Sequence, residues 1–332
     1  MKLSAYDAEV YEALRKPDIF ADLYNGTVFQ GEQVLRPEML QYANEKEQLL
    51  AEDRMGNPAI LYRIRDASRN CSLSDGLLRV VLNVEGQRSV HYGMPVRILM
   101  YDAITYVQEA KELEAQNRSG KKLKQGGEFL TGLRKGDQIM PVLTLVFYYG
   151  EQQEWDGPVS LHEMLHFPEE LKVKKDFFPD YKINLVSSKT VNKDNFRTGL
   201  REVFELLEVM GRAERLARLM EDRKEHYSHL DADRAWLVAR FLDIPLLKER
   251  MESEKRFGPE GGKEKIDMCT AIQEMMKSSE AKGEERGEKK GAGRINQLIL
   301  CLLADHRMEE LERAAREPEY QSQLLREYKI SR

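Results

Sequence analysis

Three residues carry oxygen donors at a spacing that suits divalent-cation chemistry: Asp66, Glu85 and Gln87. A Mg²⁺ ion takes oxygen ligands at about 2.0–2.1 Å and is usually held by one or two protein carboxylates, with its other positions left to water and substrate phosphate. Asp66 closes the short β-prone run AILYRIRD and Glu85 closes the apolar run LLRVVLNVE, so the two acids could supply that pair from the ends of two strands. Side chains two apart on an extended chain point to the same side. Gln87 therefore stands beside Glu85, where it could orient an attacking water or contact a phosphate. The pattern D…E-x-Q is short, and acids at strand ends are more often solvated than bound to metal. Spacing alone leaves both readings open.

The elements that must position these residues follow from apolar patterning. Leu77 to Val84 is almost continuously apolar and β-branched, as in a strand buried on both faces, and Glu85-Gly86-Gln87 is expected to terminate it. Met94-Pro95 opens a helix through VRILMYDAITYVQEAKELEAQ, with Val96, Leu99, Met100, Ala103, Ile104 and Val107 on one face. IMPVLTLVFYYG then reads as a strand. Strand, helix and strand in this order favour a right-handed crossover and parallel pairing, with polar groups presented at one rim of the sheet.

Around this centre the sequence predicts helices over 5–30, interrupted at Pro17 and closed at Asn25-Gly26, and a polar helix running to about Ala51. SLSDG reads as a turn, and 117–136 as a long mobile surface loop. Ser160 and Glu163 form a capping box for a short helix SLHEMLHF. A strand over 180–187 and a helix over 195–219 follow, then a segment 228–250 broken near Pro245, a Gly-rich linker and C-terminal helices.

Composition bounds the class. With 332 residues, 41% hydrophobic and 33% charged, the chain can build one large α/β domain with a helical extension, or two domains. No stretch approaches the roughly 20 apolar residues of a membrane span, and the first 20 residues carry acids where a signal peptide needs an apolar core. A cytoplasmic protein without membrane partners is expected. Cys71, Cys269 and Cys301 lie far apart with no C-x-x-C pair, which argues against a disulfide framework or a structural zinc. A net charge of -5 excludes coating of nucleic acid through an overall field. Local basic patches remain, in KKLKQ and Arg134-Lys135.

The blocks RIRDAS, VEGQRSVHYGMPVRILMYDAITY, PVLTLVFYYG, EWDGPVSLHEML and PDYKINLV, in this order, resemble the Rpn (recombination-promoting nuclease) family, also called YhgA-like, within the PD-(D/E)XK nuclease superfamily. The late MCTAIQEMM and EERGEKKG look like the tail of many relatives. The resemblance is strongest from Arg65 to Val186. It implies a restriction-endonuclease-like mixed sheet flanked by helices, and a Mg²⁺-dependent DNA endonuclease, with Mn²⁺ an alternative ion, linked to recombination or mobile elements. In the superfamily pattern the first acid binds metal, here Asp66, as does the acid of the E-x-K element, here Glu85. Gln87 fills the lysine position, the form usual in this family.

The resemblance also implies a third acid from the first helices, for which Asp22 is the candidate, with Glu12 behind it. The plainer reading of both is as helix-surface acids. His91 is a candidate phosphate contact or base, and an exposed loop histidine otherwise. Arg97, one turn into its helix, is a candidate phosphate contact or a surface ion pair. The expected organisation is a nuclease-like domain over 1–212, a helical extension over 213–256, and a charged, Gly-interrupted linker with C-terminal helices over 257–332 that support homo-oligomerisation. The rival expectation is an inactive nuclease-fold protein acting as an interaction or oligomerisation module.

Overall fold

A computed structural model describes residues 5–43, 46–52, 58–64, 67–73, 78–150, 153–172, 174–244, 248 and 265–330. The chain divides into two compact units, Met1–Cys269 and Thr270–Arg332. In the first, α1 (Ala5–Leu14) and α2 (Pro17–Thr27) precede β1 (Leu40–Tyr42), β2 (Lys46–Glu52), β3 (Pro58–Ile64), β4 (Ala67–Leu73) and β5 (Leu78–Gln87). Next come α3 (Met94–Ser119), α4 (Gly126–Thr131), β6 (Val142–Tyr148), α5 (Glu169–Lys172) and β7 (Asn184–Val186). The unit continues through α6 (Leu200–Val209), α7 (Ala213–Asp222), α8 (Lys224–Ser228), β8 (Leu230–Asp231), α9 (Ala232–Phe241) and β9 (Lys265–Ile266).

The core is a mixed five-stranded sheet of order β1-β4-β5-β6-β7 flanked by helices, an α/β architecture. β4 runs antiparallel to β5, while β5, β6 and β7 are parallel, as the strand, helix and strand order predicts. Alternate residues of the central strands feed two apolar layers. Val146 packs with Met94 and Ile98 of α3 and with Ile183. Phe147, next in sequence, faces the other way and meets Phe204 of α6 and Phe241 of α9, with ring centroids 5.2 and 5.3 Å apart. Residues beyond 212 thus help build the core of the first unit, and its boundary falls at 269/270 rather than where the sequence suggested a domain end.

Several local expectations differ from the structure, each for a physical reason. The helix containing Asn25-Gly26 continues to Thr27. Asn25, fully buried, gives its amide to Leu35 O at 2.8 Å and accepts from Leu35 N at 2.9 Å, so its polar side chain serves a long-range anchor instead of a turn. A Cβ on Gly26 would sit 2.3 Å from the Phe196 ring. Gly26→Ala is therefore expected to cost about 1–3 kcal/mol of stability by overpacking, readable as a lower urea midpoint.

The polar helix expected up to Ala51 is replaced by the hairpin strands β2 and β3, paired from Lys46↔Ile64 to Glu52↔Pro58. β4, absent from the sequence reading, has no apolar period because it buries polar side chains. Ser68 and Arg69 are 0% and 1% exposed, and the Arg69 guanidinium donates to Arg15 O at 2.5 Å and lies 4.2 Å from the Tyr42 ring centre.

The stretch 117–136 is ordered rather than a free loop. α4 lies within it, the Glu128 carboxylate accepts from Lys124 N and Gln125 N, and Asp137 accepts from Asn117 Nδ2 at 2.6 Å. SLHEMLHF is a turn and bridge segment in which Glu163 reaches back to Val159 N. The helix expected over 195–219 splits into α6 and α7 around Gly211, at φ +77°.

In the second unit, α10 (Met268–Ala304), which begins in the first, leads to α11 (Met308–Arg316) and α12 (Pro318–Glu327). Leu298, Leu302, Ala314, Leu324, Leu325 and Ile330 form its core. Arg307 pairs with Glu310 and Glu327. The Glu310 carboxyl is held at about 2 by the hydrogen bonds from Arg307 and Tyr320.

Candidate active site at the rim of β5

β5 continues through Glu85-Gly86-Gln87 instead of ending before it. The ladder to β6 extends to Glu85↔Val146, Gly86↔Phe147 and Gln87↔Tyr148, so these residues stand at the carboxyl ends of two parallel strands. The pleat sorts them: Gly86 faces α1, where a Cβ would come within 3.3 Å of Tyr11 and Tyr149, and Glu85 and Gln87 face the α3 side. A glycine between the two polar residues lets α1 approach closely.

Glu85 is wholly buried. Its Oε2 accepts from Arg97 Nη2 at 3.2 Å, and the Arg97 side chain is 27% exposed. Arg97 also donates from Nε to Tyr101 OH at 3.2 Å, the i, i+4 neighbour on α3. Arg97 thus forms an ion pair directed inward to Glu85 and not a surface pair. Gln87 is half-buried, and its backbone carbonyl accepts from Tyr149 N at 3.0 Å.

Asp66 lies outside the described residues. Its neighbour Ala67 pairs with Val84, the residue before Glu85. His91 is exposed, and its carbonyl accepts from Met94 N at 3.0 Å as α3 begins. Asp22, 4% exposed, accepts from Arg197 N, Thr198 N and Thr198 Oγ1 at 2.6–3.1 Å. Its carboxylate holds the turn that starts α6, so it is no helix-surface acid. Glu12 is an exposed partner of Arg15. Among the described residues no three His, Cys, Asp or Glu side chains are grouped to hold a metal ion. The donors that the described part of the rim offers are the Glu85 carboxylate and the Gln87 amide on one face.

Sequence reasoning missed a buried polar row one pleat away. Ser68 Oγ donates to Asn83 Oδ1 at 2.7 Å, Asn83 Nδ2 to Thr144 Oγ1 at 3.4 Å, and Thr144 Oγ1 to Asp102 Oδ1 at 2.7 Å. Tyr181 OH donates to the other oxygen of Asp102. The row ties β4, β5, β6 and α3 together below Glu85, and fully satisfied buried polar groups of this kind fix register. The signal was legible: Asn83 interrupts an apolar strand, and a polar residue there must find partners. Tyr24 OH adds to this, donating to Asn83 O and Leu143 O at 2.7 and 2.8 Å.

The basic patch lies at the other end of α3. Lys121, Lys122 and Lys124 are exposed just beyond its last turn, about 36 Å along the axis from Arg97 at 1.5 Å per residue. Arg134 is paired with Asp137 at 2.9 Å. Among the described residues no helix is long and apolar enough to cross a membrane, and all three cysteines are free thiols. Comparison with protein-family models, with curated proteins and with solved structures finds no match to this chain.

Proposed function

We propose that this chain is a magnesium-dependent DNA endonuclease with a restriction-endonuclease-like core, hydrolysing phosphodiester bonds in recombination or mobile-element DNA. The observation that carries the reading is Glu85: a fully buried carboxylate on the last residues of a central strand, sharing its face with Gln87 and paired with Arg97. Burying a carboxylate is costly unless it is paired or binds metal, so its position at a rim calls for a cationic partner.

The donor set fits Mg²⁺, which needs no more than one or two carboxylates. Glu85 would hold it together with Asp66, with Mn²⁺ able to substitute. When bound, such an ion lowers the pKa of a water and stabilises charge on the scissile phosphate. Gln87, being neutral, orients water or phosphate through its amide. Arg97 has solvent access and a planar fork suited to phosphate oxygens, and it would serve as the phosphate contact were Glu85 to hold the metal. His91 stands on the exposed approach to this rim.

A second reading is favoured by the same Glu85–Arg97 pair. A carboxylate already neutralised by a guanidinium needs no ion, as in an inactive nuclease-fold protein that acts as an interaction module. Exposed Ile295, Leu300, Leu303 and Met308 on the C-terminal helices support self-association there, which sedimentation analysis would read. Plasmid nicking with Mg²⁺ or Mn²⁺ separates the two readings. Wild-type cleavage that Asp66→Ala abolishes is expected; a wild type that does not cleave leaves the module, and equal cleavage by both removes Asp66 from the site.

A further inference from the structure

Next to the Glu85 rim the first unit has a second concavity, of about 210 Å³, lined among others by Tyr148, Trp155, Ser187, Lys189, Thr190 and Arg212. It opens where β6 and β7 end. We propose that it is a subsite for one unpaired nucleotide of the DNA strand, with the base against Trp155, which Tyr148 buttresses, and the phosphate at Lys189 and Arg212. The proposal rests on the nuclease reading of the neighbouring rim.

Position is the first argument. Tyr148 is the cross-strand partner of Gln87, and neighbouring strands are about 4.8 Å apart, so the pocket wall adjoins the E-x-Q rim directly. Size is the second. Cavities that enclose drug-sized ligands run to about 300–1,000 Å³, and this one is smaller, of a size for a single base with its phosphate at the mouth, where Lys189 and Arg212 are half exposed, and not for a duplex.

The aromatic wall is already in place. Trp155 and Tyr148 meet edge-on, with centroids 5.4 Å apart, Trp155 Nε1 donates to Gly157 O at 2.9 Å, and Tyr148 OH donates to Gln153 O at 2.6 Å. Burial raises the Tyr148 phenol above its ordinary value, so it stays neutral at physiological pH. Tyr148 is only 5% exposed and buttresses the half-buried Trp155, whose indole is the ring that offers a base its π-face.

The cations complete the site. Lys189 and Arg212 both reach the carboxylate of Glu154, at 3.5 and 3.7 Å, and Glu154 is 64% exposed. Such surface pairs are weak, so a phosphate can take the place of Glu154 while that side chain turns to solvent. Lys189 is held on an ordered turn, with Ser187 N donating to Thr190 Oγ1 at 2.8 Å and Lys189 N donating to Ser187 Oγ at 3.3 Å.

The sequence holds two tryptophans, so Trp236→Phe leaves Trp155 as the only indole reporter. In EDTA, a single-stranded thymidine oligonucleotide is expected to quench its emission, with inorganic phosphate and a blunt duplex leaving it unmoved. Adding Lys189→Glu and Arg212→Glu, whose side chains are 43% and 46% exposed, is expected to weaken the titration by about tenfold or more, because two attractive charges at the phosphate become repulsive. An unmoved Trp155 on oligonucleotide binding, an unchanged midpoint in the double variant at equal urea stability, or a full quench by phosphate or duplex would each overturn the subsite. Because no metal is present, the outcomes separate: quenching without plasmid cleavage keeps the subsite and removes the nuclease, and cleavage without quenching does the reverse.

Discussion

Glu85→Gln is expected to lower metal-dependent plasmid cleavage by about 10²–10³-fold, the range seen when one preorganised group that stabilises developing charge is removed. The substitution keeps the shape and an acceptor for Arg97 Nη2, which now sits 3.2 Å from Oε2, but removes the negative charge that would hold the cation. Its cost in stability is expected to be about 1–3 kcal/mol, below the 3–5 of a fully buried broken pair, because Arg97 is 27% exposed and can turn to water. Cleavage is measured at a temperature where circular dichroism shows the variant folded. A variant that nicks plasmid at the wild-type rate would remove Glu85 from the chemistry and leave its pair with Arg97 as a purely structural contact.

Asp22→Ala is expected to act in the opposite way, on the fold and not on the chemistry. Three donors converge on this carboxylate, two of them the backbone amides of Arg197 and Thr198. Leaving two part-buried amides without their acceptor, where about 1–3 kcal/mol each is the cost for fully buried groups, predicts a loss of about 1–4 kcal/mol, read by urea unfolding. Asp22→Asn, which keeps one acceptor oxygen, falls between and cleaves normally per folded molecule. A stable Asp22→Asn protein that has lost cleavage would instead make Asp22 the third acid.

How much of this was legible depends on what kind of interaction decides each element. β5, α3 and β6 were readable because long apolar runs and helical periodicity reflect burial directly; their parallel order followed from topology. β4 was not, because its buried Ser68 and Arg69 are tolerated through partners distant in sequence: Asn83 on β5, Tyr42 on β1 and the Arg15 carbonyl just past α1. The same blindness turned the strand β2 into a helix, since the partner that makes it a strand, β3, lies ten and fourteen places on at the Leu50↔Ile60 and Gln48↔Tyr62 pairs and leaves no periodic trace. Asn25-Gly26 read as a stop because local propensity cannot foresee Leu35 and Phe196 closing around it.

The site divides along the same line. The residue types and the i, i+2 spacing of Glu85 and Gln87 follow from the chain, because the alternation of a strand is a local property. That Glu85 is fully buried, that its cation is Arg97, and that Asp22 is occupied by the turn before α6 are consequences of packing between segments 12 to 176 residues apart. Local geometry says which way a side chain points, and long-range contacts say what it meets there.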